Sequence, residues 1–316
     1  MKIVLPGGSG QVGTLLARHF HGRGDEVVVL SRGSQSSHPW KTVSWDAQNL
    51  GAWVDELEGA GVVINLAGRT VNCRYSKENR RQILDSRVQS VKVLGDAIAG
   101  CSKPPTVWLQ SSTATIYAHR FDAANGESDG IVGGNEEGAP DTWRFSIQVA
   151  EAWERALDEA PTPNTRKVKL RSSMVMSADP GGIFATLLQL VRLGLGGRCG
   201  SGKQYVSWIH GTDFVRALDH LIKADHLEGA VNIAAPTPLP QVDFMRDLRH
   251  AWGKRIGLPA TRWMLEIGAI FMRTETELIL KSRRVVPERL EADGFSFRYP
   301  KWPSAAQELC KSWKKL

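Results

Sequence analysis

The sequence predicts an α/β fold in which helices cover both faces of a doubly wound parallel sheet, followed by a smaller, mostly helical C-terminal module. Short apolar runs alternate with helical patterns through the first two-thirds of the 316 residues, and this order is typical of a parallel sheet. The runs are apolar throughout, as expected for strands that are buried on both faces. A glycine-rich turn joins the first run to the first helical pattern.

The glycine-rich turn, residues 7–13, predicts a dinucleotide site. It follows an apolar strand at residues 2–5 and opens the helical pattern of residues 14–20. This order places a pyrophosphate at a helix N-terminus, as in Rossmann-type folds. One glycine allows the tight turn, one admits the phosphates and one lets the helix pack closely; the alternative is an ordinary turn. The predicted cofactor contacts are Gly7, Gly10, Gln11, Val12 and Gly13.

The later elements continue the alternation of strand and helix. Residues 77–99 carry apolar side chains close to helical spacing and predict a long amphipathic helix. Those apolar positions are Ile83, Val88, Val91, Leu94 and Ile98. The further strands that we expect are residues 26–30, 61–67, 106–110 and 167–171.

Two regions depart from this alternation. Residues 119–141 are rich in Gly, Asp, Glu and Asn and predict a long loop, a candidate lid over a site. After about residue 235 the pattern becomes helical and basic, including residues 244–252 and 263–272. We therefore expect a dinucleotide-binding unit at residues 1–175, to which residues 206–235 return, and a substrate-side C-terminal module at residues 176–205 and 236–316.

Composition narrows the class of protein. With 42% hydrophobic and 23% charged residues, the chain is long enough to bury a substantial core. No apolar run is long enough to span a bilayer, so we expect no membrane partner. The four cysteines lack the spacing of a metal site. They predict reduced thiols in a cytoplasmic protein and no metal.

The net charge of +7 raises the question of a nucleic-acid partner. The basic residues are dispersed, and we interpret their densest cluster, residues 281–284, as solvated surface. We therefore expect no nucleic acid. A basic protein also suits an anionic small ligand such as a phosphorylated dinucleotide.

The end of the second predicted strand favours NADP(H) over NAD(H). An NAD site usually offers a carboxylate to the adenosine ribose at this point. Here the chain reads Leu30-Ser31-Arg32-Gly33, so that a hydroxyl and a guanidinium are available to a 2′-phosphate. The alternative is that Arg32 is a surface residue.

Two further segments are candidates for cofactor contact. Asp46 either lies near the adenine or is a turn residue of its loop. After the buried strand that ends at Asn65, small residues let the backbone approach the cofactor ribose, and a helix-capping turn is the alternative. The predicted contacts of this second segment are Leu66, Ala67 and Gly68.

Together, these motifs resemble a known family. The glycine turn, Asn65–Gly68 and Ser111–Tyr117 resemble an extended short-chain dehydrogenase/reductase. More narrowly, the chain is similar to the atypical, sugar-nucleotide-epimerase-like branch with an extra C-terminal helical module. The segments that carry this narrower resemblance are residues 194–197, 200–204, 207–213, 285–290, 294–295 and 298–300.

The resemblance implies roles for several residues. Extended members carry a Ser or Thr four residues before a Tyr at the end of the fifth strand, and Thr113 and Tyr117 match this spacing. Thr113 would bind a substrate oxygen; the alternative is that the Ser/Thr run only caps the end of the strand. Tyr117 is a candidate for proton transfer, or else a packed aromatic residue. His210 is expected mainly to cap a helix. The further cofactor contacts implied are Gln82, Arg87, Ser111 and Val175; for Arg87 the alternative is a surface helix residue.

One expected pair is missing. Typical members carry Tyr-x-x-x-Lys on the next helix, where the Tyr is the acid/base and the Lys lowers its pKa. This chain offers Phe145 with Val149, or Ser146 with Ala150, and neither pair can perform that proton transfer.

Two hypotheses follow. The first is an NADP(H)-dependent oxidoreductase or epimerase acting on an unknown carbonyl or nucleotide-sugar-like substrate. The alternative is a regulatory or scaffold protein that binds NADP(H) without turnover. By analogy we expect a homodimer built on the helices near residues 77–99 and 143–158. Candidate lining residues of the substrate pocket are Arg69, Asn72, Arg74, Lys203, Gln204 and Trp208.

Overall fold

A seven-stranded parallel sheet lies at the centre of the molecule, in the order β10-β6-β5-β4-β1-β2-β3, and confirms the predicted fold class. The computed structural model describes residues 1–33, 38–261 and 277–316. The strands of the sheet are β1 (Lys2–Pro6), β2 (Glu26–Ser31), β3 (Lys41–Ser44), β4 (Val62–Asn65), β5 (Val107–Thr113), β6 (Arg166–Ser172) and β10 (Gly229–Ile233).

The remaining elements cover the sheet or build the C-terminal side. The short strands are β7 (Met174–Met176), β8 (Tyr205–Val206), β9 (Trp208–His210) and β11 (Leu239–Pro240). The helices are α1 (Gln11–Gly22), α2 (Lys77–Ala99), α3 (Asp141–Asp158), α4 (Ile183–Arg192), α5 (Gly211–Lys223), α6 (Gln241–Trp252), α7 (Glu277–Leu280), α8 (Glu288–Ala292) and α9 (Trp302–Trp313). The helix expected at residues 263–272 lies outside the described residues.

Helices on both faces explain why the strands read as unbroken apolar runs. Ile3 and Leu5 pack into one cluster with apolar residues of α1 and α5. Val4, between them, packs into the opposite cluster with residues of α2 and α3. Since successive side chains of a strand point to opposite faces, both sets must be apolar.

The strand order reverses next to β1. From β1 the chain adds β2 and β3 on one side, then crosses to place β4 and β5 on the other. Such a reversal opens a crevice beyond the carboxyl ends of the strands, where ligands of doubly wound folds bind. Backbone hydrogen bonds join the two sides of this crevice. Gly7 N–H donates to the carbonyl of Leu30, and Leu66 N–H donates to the carbonyl of Pro6.

The long helix α2 begins and ends where the sequence predicts. The Ser76 side chain caps its first turn by accepting a hydrogen bond from Asn79 N–H. Its apolar face, including Leu94, packs with Trp153 of α3 against the sheet residue Trp108. This packing fixes α2 and α3 above one face of the sheet and beside the crevice.

The C-terminal side has its own apolar cluster. The Phe244 ring of α6 stacks on Trp302 at 4.0 Å, and Trp208 of β9 meets Trp302 edge-on at 4.9 Å. Asp213 of α5 joins this side to the main sheet, because its carboxylate accepts hydrogen bonds from the backbone N–H groups of Arg298 and Tyr299. In the part of the chain that the structure describes, no helix is long and apolar enough to cross a membrane.

The loop predicted at residues 119–141 is tied to the segment before α8. Asn125 N–H donates to Arg284, and Val286 N–H donates back to Asn125. Ser128 bonds the Glu288 carboxylate. None of the residues 119–140 lines the two cavities described below, so the interpretation of this loop as a lid over the site is corrected.

A buried ion pair joins α3 to the sheet and generates a prediction for stability. The Arg171 guanidinium donates to Glu154 at 2.8 and 2.9 Å, and the Ser112 hydroxyl donates at 2.6 Å. Burial alone would raise the pKa of Glu154, but these partners hold it below its ordinary value of 4.5. The stabilisation is therefore complete above about pH 4.5 and is lost as pH falls through the lower pKa of the folded state.

We expect Glu154→Gln to lower the free energy of unfolding by about 3 kcal/mol at neutral pH, because Arg171 is left buried and unpaired. Chemical denaturation should show the difference from wild type shrinking below about pH 4.5. Asp158→Asn on the same helix is the matched control, since Asp158 pairs with Lys169 at the surface and should cost less than about 1 kcal/mol. Equal effects of both variants would contradict the assignment.

Candidate functional site

Two cavities meet at the carboxyl edge of the sheet. The larger encloses about 610 Å³ below the ends of β4, β5, β6 and β7. The smaller encloses about 300 Å³ beside the ends of β1 and β2. Leu66 and Gly68 line both cavities. The result is one elongated crevice at the point where the strand order reverses, with room for an extended ligand.

The glycine turn between the cavities has the geometry of a phosphate loop. Gly7 has a φ of +72°, and a Cβ there would lie 2.6 Å from the Cα of Ala67. A Cβ at Gly13 would lie 2.3 Å from the carbonyl oxygen of Gly8, so only glycine lets α1 pack this closely. Gly10 occupies the N-cap position of α1 but has no side chain to cap the helix, and a Cβ there would meet nothing within 4 Å. The open space before α1 is therefore at Gly10.

The start of α1 is available to an anion. No side chain caps it, and its first turn carries no acidic residue, so its N–H groups and the positive end of its dipole are uncompensated. Gln11 and Val12 line the larger cavity. The Gln11 Nε2 is buried and has no hydrogen-bond partner within the described chain. An unsatisfied buried donor beside an open helix N-terminus fits a phosphate-bearing ligand.

The smaller cavity contains the residues expected near an adenosine. Ser31, Arg32 and Asp46 all line it. Ser31 is buried and accepts a hydrogen bond from Gly33 N–H, whereas the Arg32 side chain is exposed. Asp46 also holds its own turn: hydrogen bonds from Asn49 and Gln48 lower its pKa to about 2. Asp46 is therefore a turn residue that also lines the smaller cavity, and its contact with an adenine stays a prediction.

Residues 66–68 pass close to the ligand space. Ala67 N–H donates to the Asn65 side chain, which shapes the turn after β4. Gly68 lies against the Arg87 guanidinium, and a Cβ there would be 3.3 Å from its Cζ. This contact brings Arg87 of α2 to the wall of the larger cavity.

Arg87 is not a solvated helix residue. Its guanidinium lies 5.0 Å from the centre of the Trp153 ring and donates to the carbonyl of Ile83 at 2.9 Å. Burial lowers its pKa to about 10, so it remains a cation at neutral pH. By contrast, Gln82 is exposed and lines neither cavity; its amide is hydrogen-bonded to Glu78.

The ends of β5 and β7 supply three of the predicted site residues. Ser111, Thr113 and Val175 line the larger cavity. The Thr113 hydroxyl accepts a hydrogen bond from Thr115 N–H at 3.1 Å. It therefore holds the short turn after β5 and still faces the cavity, where it can donate its hydrogen to a ligand oxygen.

The structure corrects the assignment of Tyr117 to proton transfer. Its ring is buried beside the sheet, and it does not line either cavity. Its hydroxyl donates to Asn232 at 2.9 Å and accepts from Arg171 at 3.0 Å. Burial raises the pKa of Tyr117, and the positive charge of Arg171 only partly offsets this shift. The turn at residues 114–116 is the cause, because it directs the next side chain into the protein.

The face of α3 that fronts the larger cavity is almost wholly apolar. Phe145, Val149 and Ala150 line the wall, and Ser146 supplies its hydroxyl. The positions proposed for the missing Tyr and Lys therefore face the site but carry no ionisable group. Whatever moves protons here must come from another element.

Such groups come from two segments that the sequence did not single out for the site. Tyr75, in the loop before α2, and Glu277 of α7 both line the larger cavity. The Ser146 hydroxyl donates to Glu277 at 2.6 Å, and the Tyr75 ring meets that of the adjacent Phe145 at 5.2 Å. Neither segment carries a motif, so only its position in the fold reveals it.

The basic cluster at residues 281–284 is also corrected, since it is not solvated surface. Lys281 is 1% exposed and donates to the Thr115 carbonyl at 2.7 Å. Burial, with the neighbouring charge of Arg283, lowers the pKa of Lys281 to about 8. Arg283 bonds the Thr115 hydroxyl at 3.0 Å and lines the larger cavity. The apolar Val285 and Val286 that follow are the signal of a buried segment.

Most of the residues that we expected to line the substrate pocket lie outside both cavities. Arg69 lines the smaller cavity, whereas Trp208 and Gln204 are buried in the C-terminal side and Lys203 is exposed. His210 caps α5 by accepting from Thr212 N–H, and its other ring nitrogen meets Glu308. The residues of that set that line neither cavity are Asn72, Arg74, Lys203, Gln204 and Trp208.

Comparisons with known proteins agree with this architecture. The profile described as "NAD dependent epimerase/dehydratase family" matches residues 3–234. A second profile, described as "Domain of unknown function (DUF1731)", matches residues 260–309. The chain is 29% identical over 312 residues to human epimerase family protein SDR39U1, covering 98% of this chain and 99% of the human one. It is 30% identical over 315 residues to epimerase family protein SSP1921 of Staphylococcus saprophyticus, covering 97% and 98%.

A solved structure is similar over the same length. The crystal structure of human epimerase family protein SDR39U1 (isoform 2) with NADPH superimposes with a TM-score of 0.85 at 28% identity, covering 98% of this chain and 99% of that one. The family profile spans the whole sheet from β1 to β10, including both cavities' strand ends. This chain therefore belongs to the NAD dependent epimerase/dehydratase family, with an additional C-terminal DUF1731 region.

Proposed function

We propose that this protein binds NADP(H) along the crevice formed by the two cavities. The observation that carries the proposal is the phosphate loop at their junction, where Gly10 leaves open space at an uncapped helix N-terminus. Gln11, Val12 and residues 66–68 would hold the ligand on either side. Human SDR39U1, which shares this fold throughout, was crystallised with NADPH.

The smaller cavity supports NADP(H) over NAD(H). Ser31 and Arg32 stand at the end of β2, where the adenosine ribose of such a ligand would lie. The Arg32 side chain is exposed, so a 2′-phosphate could reach it without displacing a protein contact. A guanidinium is suited to this role because it forms paired, charge-assisted hydrogen bonds with phosphate oxygens.

We further propose that the protein is an oxidoreductase or epimerase acting on a carbonyl or nucleotide-sugar-like substrate. When bound, the nicotinamide supplies or accepts a hydride. The larger cavity would then hold the substrate, with the Thr113 hydroxyl binding a substrate oxygen. Its wall carries two cations, Arg87 and Arg283, against the carboxylate of Glu277, and this excess of positive charge suits an anionic substrate.

The alternative is an NADP(H)-binding regulatory or scaffold protein without turnover. The observation in its favour is the face of α3, where Phe145 and Val149, or Ser146 and Ala150, stand in place of Tyr and Lys. Retention of a cofactor site with a changed function is common among shared folds. A cytoplasmic homodimer without nucleic-acid or membrane partners remains a prediction under either hypothesis.

Arg32→Ala is expected to weaken NADPH binding by about 10- to 100-fold, the contribution of charged hydrogen bonds to one phosphate. NADH binding should change by less than about threefold, because NADH lacks that phosphate. Fluorescence titration of both dinucleotides measures this difference. Arg246→Ala on α6, away from the crevice, is the matched control. Wild-type protein that binds NADH as tightly as NADPH would contradict the preference.

Gly10→Ala tests the phosphate loop without disturbing the fold. A Cβ at Gly10 meets no protein atom within 4 Å, so the thermal midpoint should be unchanged. The methyl group would instead meet the bound phosphates, and we expect about tenfold weaker NADPH binding. Gly22→Ala at the other end of α1 has the same open surroundings and should alter neither property. Unchanged affinity in Gly10→Ala would place the phosphates elsewhere.

Turnover separates the two hypotheses. We expect NADPH oxidation with at least one member of a panel of carbonyls and nucleotide sugars, and Thr113→Ala should lower kcat/KM about tenfold by removing one hydrogen bond. Thr237→Ala, whose hydroxyl bonds Pro300 at the surface, is the matched control. Tight NADPH binding with no turnover across the panel would favour the regulatory or scaffold alternative.

A further inference from the structure

We infer that the Tyr75 phenol, beside Ser146 and Glu277, is the proton donor of the larger cavity and that it protonates the oxygen of a carbonyl group as the carbon receives a hydride. The inference rests on the proposed NADP(H)-binding function. It assigns the acid that α3 lacks to the loop before α2, which packs against α3. In this arrangement Tyr75 is the catalytic residue, and Ser146 and Glu277 are positioning residues.

The first support is the placement of the phenol. Tyr75 is only 9% exposed and lines the cavity, so its ring is held at the cavity wall. The ring meets Phe145 of α3 edge-on at 5.2 Å. The Ser146 hydroxyl lies near enough to the phenol to lower the pKa of Tyr75. Phe145 and Ser146 are the two residues proposed for the position of the missing Tyr, so Tyr75 brings a phenol to that same place.

The second support is the rigidity of the wall around the phenol. Ser146 donates to Glu277 at 2.6 Å, and Glu277 is 1% exposed. Together the three side chains connect the loop before α2, the helix α3 and the helix α7 across the cavity. The Ser146–Glu277 bond and the contact of the Tyr75 ring with Phe145 fix the surroundings of the phenol, as a general acid requires.

The third support is the charge around the phenol. Burial raises the pKa of Tyr75, and the Glu277 carboxylate raises it further. The Ser146 hydroxyl and the cation of Arg87 oppose them, whereas Cys73 acts in the same direction, and the Arg283 cation also interacts with the phenol. The net effect is a raised pKa of Tyr75, whereas the Lys of a Tyr-x-x-x-Lys pair lowers the pKa of its Tyr.

This direction supports the donor role that the position of Tyr75 in the cavity indicates. A phenol with a raised pKa keeps its proton at neutral pH and can donate it to the oxygen of a carbonyl group that receives a hydride.

The proposed step balances with a reduced nicotinamide dinucleotide as the hydride donor. The hydride brings two electrons to the carbonyl carbon, and the π pair of the C=O bond moves to oxygen. The Tyr75 O–H bond breaks as the new O–H bond forms, giving an alcohol and a phenolate. One proton from solvent then restores the phenol, while the dinucleotide leaves in its oxidised form.

Titration of tyrosinate absorbance tests this assignment without any substrate. The chain has four tyrosines, so the difference between wild type and Tyr75→Phe reports Tyr75 alone. Each protein is titrated free, with NADPH and with NADP⁺. Tyr299→Phe, whose ring packs on His210 outside the cavity, is the matched control. Glu277→Gln tests the proposed coupling.

We expect the Tyr75 signal to titrate above the ordinary pKa of a tyrosine in the free protein. NADP⁺ should lower its proton affinity about tenfold relative to NADPH, because the oxidised nicotinamide carries a positive charge close to the phenol. Glu277→Gln should also lower the pKa, since it removes a neighbouring anion. With a reducible carbonyl from the panel, Tyr75→Phe should slow turnover at least about 100-fold.

An equal Tyr75 pKa in the NADPH and NADP⁺ complexes would overturn the inference, because the phenol would then be remote from the reacting ring. An unchanged Tyr75 pKa in Glu277→Gln would overturn the positioning role. Either result can occur with tight NADPH binding, in which case the proposed cofactor site stands. Failure of wild-type protein to bind NADPH would instead refute the proposed function itself.

Discussion

The close approach of two backbone segments beyond the end of β1 is the constraint on which the site depends. Gly7 touches Ala67 and Gly13 touches Gly8 so tightly that no side chain fits. These contacts bring α1, β1 and the segment after β4 together at the reversal of strand order. The uncapped N-terminus of α1 and the junction of the two cavities follow from that approach.

Around this fixed centre the two ends of the crevice are built differently. The end beside β2 consists of local structure, a strand end and an Asp46 turn. The end beside β5 is assembled from distant parts of the chain: the loop before α2, the face of α3 and the segment from Glu277 to Arg283. Substitutions at one end of the crevice therefore leave the other end intact. This independence explains how a chain can have a phosphate loop at one end and no Tyr-x-x-x-Lys at the other.

The sequence predicts those parts whose signal is local. Apolar periodicity and glycine spacing within short windows predict the phosphate loop, α2, α6 and five strands of the sheet, β1, β2, β4, β5 and β6. They do not predict the edge strands β3 and β10. Tyr117 and the 281–284 cluster could not be predicted in this way, since one turn or one buried contact decides where each side chain points. Tyr75, Ser146 and Glu277 meet only because three elements converge, and no spacing in the sequence records that convergence.

The hydrogen bond between Lys281 and Thr115 joins residues 166 positions apart, and it has a consequence for the order of assembly. The phosphate loop and its supporting strands require only about the first quarter of the chain to be synthesised. The opposite end of the crevice cannot close until residue 283 has emerged, and it bears the entropic cost of a very long loop. During synthesis, the fold would thus acquire its nucleotide half early and its reacting half among the last contacts made.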